Sequence, residues 1–505
     1  MASDPTHPLR ARLREIADLD GAVSVVTWDQ AVAMPPGGGA ARGQVLATLA
    51  RLRHERWLDP ELERALESAE AAAADEGEGA AALVRVVRRD LERHRRVPSA
   101  YVARASEHAS ASYDAWLAAR HGGSVDRVLA LTERTLDLSR EYAAFFPEAA
   151  HPADAWIDAV DEGATVATLR PLFDRLRASL VPWVAAWSQA PEPAPLPAGP
   201  FDASVQLELA LSFAAAFGYD LTRGRQDPTE HPFAIRFAHG DVRITTRVDP
   251  HDLTQVLYSS LHEAGHAMYE QGVDPAWEGT PLAEGVSAGV HESQARLWEN
   301  QVGRSLAWWR FALPRLRERL PAFAGVTPEG AYRAVNRVRP SLIRTEADEV
   351  TYDLHVMIRF DLECALLEGR LGVRDLPEAW AARYAGDLGV VPTGHVDGWL
   401  QDVHWFSGSI GGAFQGYTLG NVMAAQFYEA AARDLAGRDG GVDLDRCVAA
   451  GDFAPLHAWL REHVHRHGRS RPVGRLLRDA TGHDLDVRPY LAYLERKHAW
   501  QAAAA

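Results

Sequence analysis

A mostly α fold is predicted, large and helical, with one small β-hairpin set directly ahead of a well-bounded helix. Three observations carry this. Long stretches rich in Ala, Leu, Arg and Glu place apolar residues at three- and four-residue intervals. At 505 residues and 47% hydrophobic content, the chain can bury a large core. Only one stretch instead alternates apolar and polar residues with the period of a strand.

In chain order, the first break is the turn-rich connector Pro35-Pro36-Gly37-Gly38-Gly39, a simple link or a mobile lip. Helical spacing then predicts helices over 80–118, 125–146 and 165–188, followed by the proline-rich run Pro191 to Pro200, a surface connector. A helix over 203–217 precedes the alternating stretch from Phe233 to Val248. There Phe233, Ile235, Phe237, Val242 and Ile244 surround His239-Gly240-Asp241 as in a β-hairpin. Arg243 and Thr245 share one face of its second strand. The hairpin either braces the next helix or offers an edge to an extended peptide. Asp249-Pro250 supplies an N-cap and first-turn proline for that helix, and Gly272 stops it. Further helices are predicted over 286–320, 352–369 and 419–436, with a glycine-rich break from Gly408 to Gly416. Length alone would suggest about three domains, but no clear linker divides the chain, so 1–505 reads as a single domain.

Net charge and cysteine usage narrow the function classes. A formal charge of −16 argues against nucleic acid as partner, since phosphate binding needs a basic surface. Cys364 and Cys447 are too few for a disulfide framework and have no C-x-x-C spacing, which fits a reducing cytoplasm. The start, Met-Ala-Ser-Asp-Pro, lacks a basic region followed by an apolar one, and no window approaches 18 uninterrupted apolar residues; a cytoplasmic protein without membrane contact is expected. Neither a phosphate-binding loop nor a dinucleotide-binding glycine pattern is present, and nothing signals a nucleophilic triad.

The chemistry concentrates in the helix after the hairpin. Leu261-His262-Glu263-Ala264-Gly265-His266 fits H-E-x-x-H, in which two histidines four apart share a helix face and can reach one cation. Glu263 is placed to take a proton from water activated there. With 21 histidines in the chain the pattern can arise by chance, but its helical context strengthens it. Catalytic zinc takes three protein ligands and keeps an open position. Glu292, in His291-Glu292-Ser293-Gln294, is the best third ligand.

Several separated runs now align in order: His231-Pro232-Phe233, Asp241-Val242-Arg243-Ile244-Thr245, His262 to His266, His291 to Gln294, Ile343-Arg344-Thr345-Glu346-Ala347-Asp348, and Gly398-Trp399-Leu400-Gln401-Asp402-Val403-His404-Trp405. With Trp28-Asp29, Met34-Pro35 and Tyr417 to Asn421, the chain resembles the carboxypeptidase Taq family of metallocarboxypeptidases over nearly its full length. The resemblance implies a helical fold with a deep central substrate groove and a homodimer. It also implies one divalent metal per subunit, Zn2+ or Co2+, on His262, His266 and Glu292, with Glu263 catalytic. The implied activity removes single C-terminal residues from peptides, with broad preference and poor action at proline. The chain departs from the family before Tyr417, where Phe414-Gln415-Gly416-Tyr417 follows an apparent extra residue in the glycine-rich stretch.

Carboxypeptidase chemistry calls for further groups. A tetrahedral intermediate needs a hydrogen-bond donor, for which His404 and Tyr417 are the candidates, each with a purely structural alternative. A terminal carboxylate is best held by arginine, Arg344 first and Arg243 second; either can instead pair with an internal acid. His231 and His291 read as structural, with His291 able to bridge to the metal site. The rivals are a zinc oligopeptidase or dipeptidyl carboxypeptidase, separated by which bond is cut, and a peptide-binding scaffold without catalysis, which retention of the ligands and Glu263 argues against.

Overall fold

The structure is a computed structural model and describes residues 6–72, 77–438 and 440–503. The run Met-Ala-Ser-Asp-Pro, on which the expectation about the amino terminus rested, lies outside the described residues. The described residues form 21 α-helices and one three-stranded sheet, so the mostly α expectation holds. Among them no helix is long and apolar enough to cross a membrane.

Helices Val125–Ala144, Val166–Trp187, Ala203–Phe217, Glu349–Leu367 and Gln415–Ala436 match the periodic stretches within a few residues. Two long expectations break. The stretch 80–118 is two helices, Glu78–Arg96 and Ser99–Arg120, because Pro98 pushes Val97 into extended backbone (ψ 111°). The stretch 286–320 becomes Ala288–Arg296, a π-helical segment Leu297–Val302 and Leu306–Arg319. Helices His7–Val32 and Gly39–Trp57 were not anticipated; only Leu9, Leu13, Ile16 and Trp57 are buried in them, too few for a continuous apolar stripe.

The hairpin forms from β2 (Ala234–Ala238) and β3 (Asp241–Thr246), with a bulge between Arg236 and Ala238. A third strand, β1 (Gln226–Pro228), joins β3 in parallel to give the order β1-β3-β2. Val242 and Ile244 are fully buried on one face. The free edge of β2 is crossed by helix His7–Val32, where a Cβ at Gly21 would come within 2.9 Å of the Phe237 carbonyl oxygen. That edge is therefore not fully open to a peptide strand.

The main core runs from Ala115 to Leu494 and includes Trp298, Trp308 and Trp309, each with no exposed surface. A smaller cluster joins Leu9, Leu13 and Ile16 to Trp57, Leu62, Leu83 and Leu282. The H-E-x-x-H helix, Leu253–Gly272, lies inside the main core. Its N-cap is Asp252, accepting from Thr254 N–H at 2.9 Å, rather than Asp249 and Pro250; those two lead into it through a bridge between Asp249 and Asp252. The sheet docks on this helix through Thr246, whose Oγ1 lies 2.6 Å from Ser259 Oγ and accepts from Ser260 Oγ at 3.0 Å.

Candidate metal centre

Two glycines set how closely the helices approach. A Cβ at Gly265, inside the motif, would stand 2.6 Å from Ala295 Cα and 2.6 Å from the Gln294 carbonyl oxygen. Only glycine lets Leu253–Gly272 meet Ala288–Arg296 at this distance. On the other side, a Cβ at Gly420 would reach 2.5 Å from Glu292 Cγ, so helix Gln415–Ala436 also closes on the same glutamate. Sequence has thus made room for Glu292 to stand opposite His262 and His266.

The three candidate ligands offer atoms that all lie within 4.8 Å of one another. Nε2 of His262 is 3.7 Å and Nε2 of His266 3.5 Å from Glu292 Oε2. A tetrahedral ion with bonds of about 2.1 Å needs ligand atoms about 3.4 Å apart, and two imidazoles with one carboxylate are a fitting donor set for a divalent cation such as zinc or cobalt.

Outer contacts hold this set. Nδ1 of His262 is 2.9 Å from Glu299 Oε2. Arg296 donates to Glu292 at 2.6 Å and to Glu299 at 3.1 Å, and Arg304 donates to Glu299 at 3.2 Å. Burial would raise the carboxyls of Glu292 and Glu299, but Arg296 and the neighbouring histidines outweigh it and hold both below the usual carboxylate range. Burial pulls His266 down to about 4, which leaves it neutral as a metal ligand must be. Glu263 is buried and pushed up to about 7 by that burial; His262 pulls the other way, while Glu292 and Glu299 add to the rise. Among the described residues, no hydrogen bond engages its side chain.

A second group of predicted residues gathers beside the triad. Arg344, buried, donates through Nε to Asp402 at 2.6 Å and through Nη1 to Tyr352 Oη at 3.0 Å; its Nη2 makes no hydrogen bond among the described residues. Asp402 also binds His404 Nδ1 in a very short contact, and His404 Nε2 lies 3.2 Å from Tyr417 Oη. The Arg344 guanidinium is 5.1 Å from the Tyr417 ring. Tyr352 links the two groups, since the Arg296 guanidinium packs on its ring at 4.3 Å. Burial alone would depress Arg344, but Tyr352 and Asp402 outweigh it and fix the charge. Burial raises Tyr417, so its phenol keeps its proton.

Arg243 is elsewhere. It pairs with Asp241 at 2.8 and 2.9 Å, and its guanidinium is sandwiched between Trp28 at 4.5 Å and Phe237 at 4.4 Å. It clamps the amino-terminal helix to the hairpin. His231 joins neither group. Glu299, Arg296 and Tyr352 were not singled out in the sequence, nor were Glu270, whose Oε1 lies 2.7 Å from His291 Nε2, and Arg359, whose Nε lies 3.5 Å from Asp402 Oδ2. Helical spacing held a clue for three of them: Arg296 and Glu299 follow Glu292 by four and seven residues, and Glu270 follows His266 by four.

Two histidines one turn apart, a carboxylate from a crossing helix and a buried glutamate beside them, all on a scaffold of long helices, define a helical metallopeptidase. The carboxypeptidase Taq (M32) metallopeptidase family matches residues 8–498, and the chain belongs to it. It is a metallocarboxypeptidase, a hydrolase of peptide bonds. Thermostable carboxypeptidase 1 of Thermus thermophilus is 40% identical over 500 residues, covering 96% of each chain. Carboxypeptidase 1 of Bacillus subtilis is 32% identical over 96% of each. The crystal structure of M32 carboxypeptidase from Deinococcus radiodurans R1 superposes with a TM-score of 0.94 at 47% identity, over 98% of this chain and 99% of that one.

Proposed function

We propose that this enzyme releases single amino acids from the free C-termini of peptides, acting as one domain over 1–505 with one Zn2+ or Co2+ held by His262, His266 and Glu292. The observation that carries this is the continuous chain of contacts from Glu292 through Arg296, Tyr352 and Arg344 to Asp402, His404 and Tyr417. This chain ties Arg344, the arginine proposed to bind the terminal carboxylate, to the proposed ligands, and so supports a cut one residue from the terminus.

The cation supplies Lewis acidity, acidifying water and polarising the scissile carbonyl. Glu263 takes the proton from the attacking water and passes it to the leaving amine. Among the described residues it has no hydrogen-bond partner, which leaves the carboxylate free for both steps. Tyr417 and His404 donate to the oxyanion, with Asp402 orienting the imidazole. Arg344 receives the terminal carboxylate on its uncommitted Nη2 edge, and Asp402 and Tyr352 lock its plane.

Broad preference and poor action at proline follow from family resemblance, as does a homodimer. A cytoplasmic setting is supported by two cysteines that are both free, Cys364 buried and Cys447 partly so. Mass spectrometry of a time course on a mixed peptide set, with zinc or cobalt added, tests the register. A ladder of single-residue losses from the C-terminus is expected. Internal fragments or dipeptide steps would instead mark a zinc oligopeptidase or a dipeptidyl carboxypeptidase.

A further inference from the structure

His266 and His262 are held in different ways. His262 Nδ1 meets a carboxylate directly, Glu299 at 2.9 Å. His266 Nδ1 instead meets another imidazole, His291 Nδ1, at 2.6 Å, with the two rings stacked at 4.6 Å. His291 Nε2 in turn reaches Glu270 Oε1 at 2.7 Å. Glu270 belongs to the same helix as His266, one turn further on, so His291 bridges two successive turns of the motif helix from the neighbouring one.

The proton order in this chain is fixed by its ends. A carboxylate only accepts, so His291 Nε2 carries a hydrogen and donates to Glu270. With its Nε2–H given to Glu270, His291 meets His266 through Nδ1, which accepts from Nδ1–H of His266. That leaves the lone pair of His266 on Nε2, the atom 3.5 Å from Glu292 Oε2. The site is built for this bridge: a Cβ at Gly285 would collide with His291 Cδ2 at 2.7 Å and Tyr269 Cε1 at 3.1 Å, so glycine leaves room for the ring, and Tyr269 flanks it at 5.3 Å. The relay ends at a wall. Glu270 lines a cavity of about 370 Å³ between helix His7–Val32 and β2, and among the described residues its buried Oε2 has no hydrogen bond, Arg236 Nε being 3.8 Å away.

We propose that His291 and Glu270 are positioning residues that select the tautomer and ring angle of His266, Glu270 acting only through His291. The inference rests on the reading that His262, His266 and Glu292 hold the metal. Loss of the Glu270 acceptor frees His291 to move its proton to Nδ1, where it opposes Nδ1–H of His266. Removing such outer partners weakens metal binding by about 10- to 100-fold in comparable sites. A glutamine retains an acceptor for His291 Nε2–H; a leucine does not.

The test titrates the full-length protein with Zn2+ against a competing chelator and records the visible absorption of the Co2+-substituted form. Glu270→Leu and His291→Phe should each weaken binding about 10- to 100-fold and alter the Co2+ spectrum. Glu270→Gln should stay near wild type in both. Because the two residues form one relay, the double variant Glu270→Leu/His291→Phe should be no weaker than His291→Phe alone. Unchanged affinity and spectrum in Glu270→Leu would overturn the proposal, as would losses that multiply in the double variant or a Glu270→Gln as weak as Glu270→Leu. If leucine prevents folding, the Glu270→Gln and His291→Phe comparison decides alone. These readouts do not involve peptide cleavage, so a wild type that binds metal and shows this pattern but releases no C-terminal residue would sink the proposed function and leave the relay standing.

Discussion

Glu292 and Glu263 are both buried glutamates on neighbouring helices, yet their surroundings drive them apart. Arg296 lies 2.6 Å from Glu292 and fixes it as an anion, whereas Glu263 has no hydrogen-bond partner among the described residues and is pushed up to about 7 by burial. In the proposed mechanism the first environment suits a ligand and the second a base that takes and returns a proton. Glu263→Gln should therefore keep one equivalent of metal while turnover falls about 10²- to 10⁴-fold; metal analysis beside a peptide assay checks this, and near-normal turnover in loaded protein would refute the role. A second comparison concerns the arginines. Arg344→Ala should erase the preference for free over C-terminally amidated peptide, and Arg243→Ala, whose partners are Asp241, Trp28 and Phe237, should retain it. A preference for the free acid that survives in Arg344→Ala would point away from Arg344. The sequence made His262, Glu263 and His266 legible because their spacing is local and periodic. Tyr352 stayed silent because Arg296, which packs on its ring, comes from a helix distant in sequence, which no single-segment pattern encodes, and Glu270 carried only the weak clue of its four-residue spacing from His266.

At the scale of elements, helix packing decides whether the local motif becomes a site. Gly265→Ala puts a Cβ against Ala295 Cα and the Gln294 carbonyl, backbone atoms that cannot rotate away. Overpacking of this kind costs about 1–3 kcal/mol, and the helices must part where His262 and His266 face Glu292. The expected result is a lower Tm together with weaker metal binding. Gly39→Ala, where a Cβ meets nothing within 4 Å, should change neither. The helix Glu349–Leu367 is pinned to Gln415–Ala436 by Asp353, which accepts from Thr418 at 2.8 Å, Asn421 at 2.9 Å and Tyr490 at 2.6 Å. Burial pushes Asp353 up to about 6, with those hydrogen bonds pulling the other way. A carboxyl whose folded pKa exceeds its unfolded value of about 4 binds its proton more tightly when folded, so its contribution to stability falls as pH rises from about 4 to about 6. Asp353→Asn should flatten that part of the Tm profile, measured by thermal unfolding from pH 4 to 7; an undiminished slope would assign it to other groups. Helices with an apolar stripe, such as Ala203–Phe217, were readable from spacing. Pro98 and the π-helical Leu297–Val302 were overrun because strong propensity on both sides masks a local break, and the wide turn that brings Glu299 to His262 is a product of tertiary packing.

Stability is distributed unevenly over the whole molecule, and the weak part lies beside the site. The motif helix is enclosed by the main core, but residues 17–56, spanning most of helices His7–Val32 and Gly39–Trp57, contain no buried residue. Their hairpin is anchored at one end by Leu9, Leu13, Ile16 and Trp57 in the smaller cluster. Further along, its main clasp is Arg243 between Trp28 and Phe237, while Val25 and Val45 are 43% and 47% exposed. This absence of a buried stripe is also why the sequence did not announce the two helices. The hairpin covers the cavity of about 370 Å³ whose opposite wall includes Glu270 and Arg236. Segments with few buried contacts open at low free-energy cost while the core stays folded. Hydrogen exchange under native conditions should therefore show residues 17–56 exchanging well before Leu253–Gly272, and brief trypsin treatment should cut first at Arg42, Arg51 or Arg53. Arg243→Ala should speed both without releasing metal, because among the described residues the partners of Arg243 are Asp241, Trp28 and Phe237 and not the proposed ligands. Protection of residues 17–56 equal to that of the motif helix would show that the hairpin folds as part of the core.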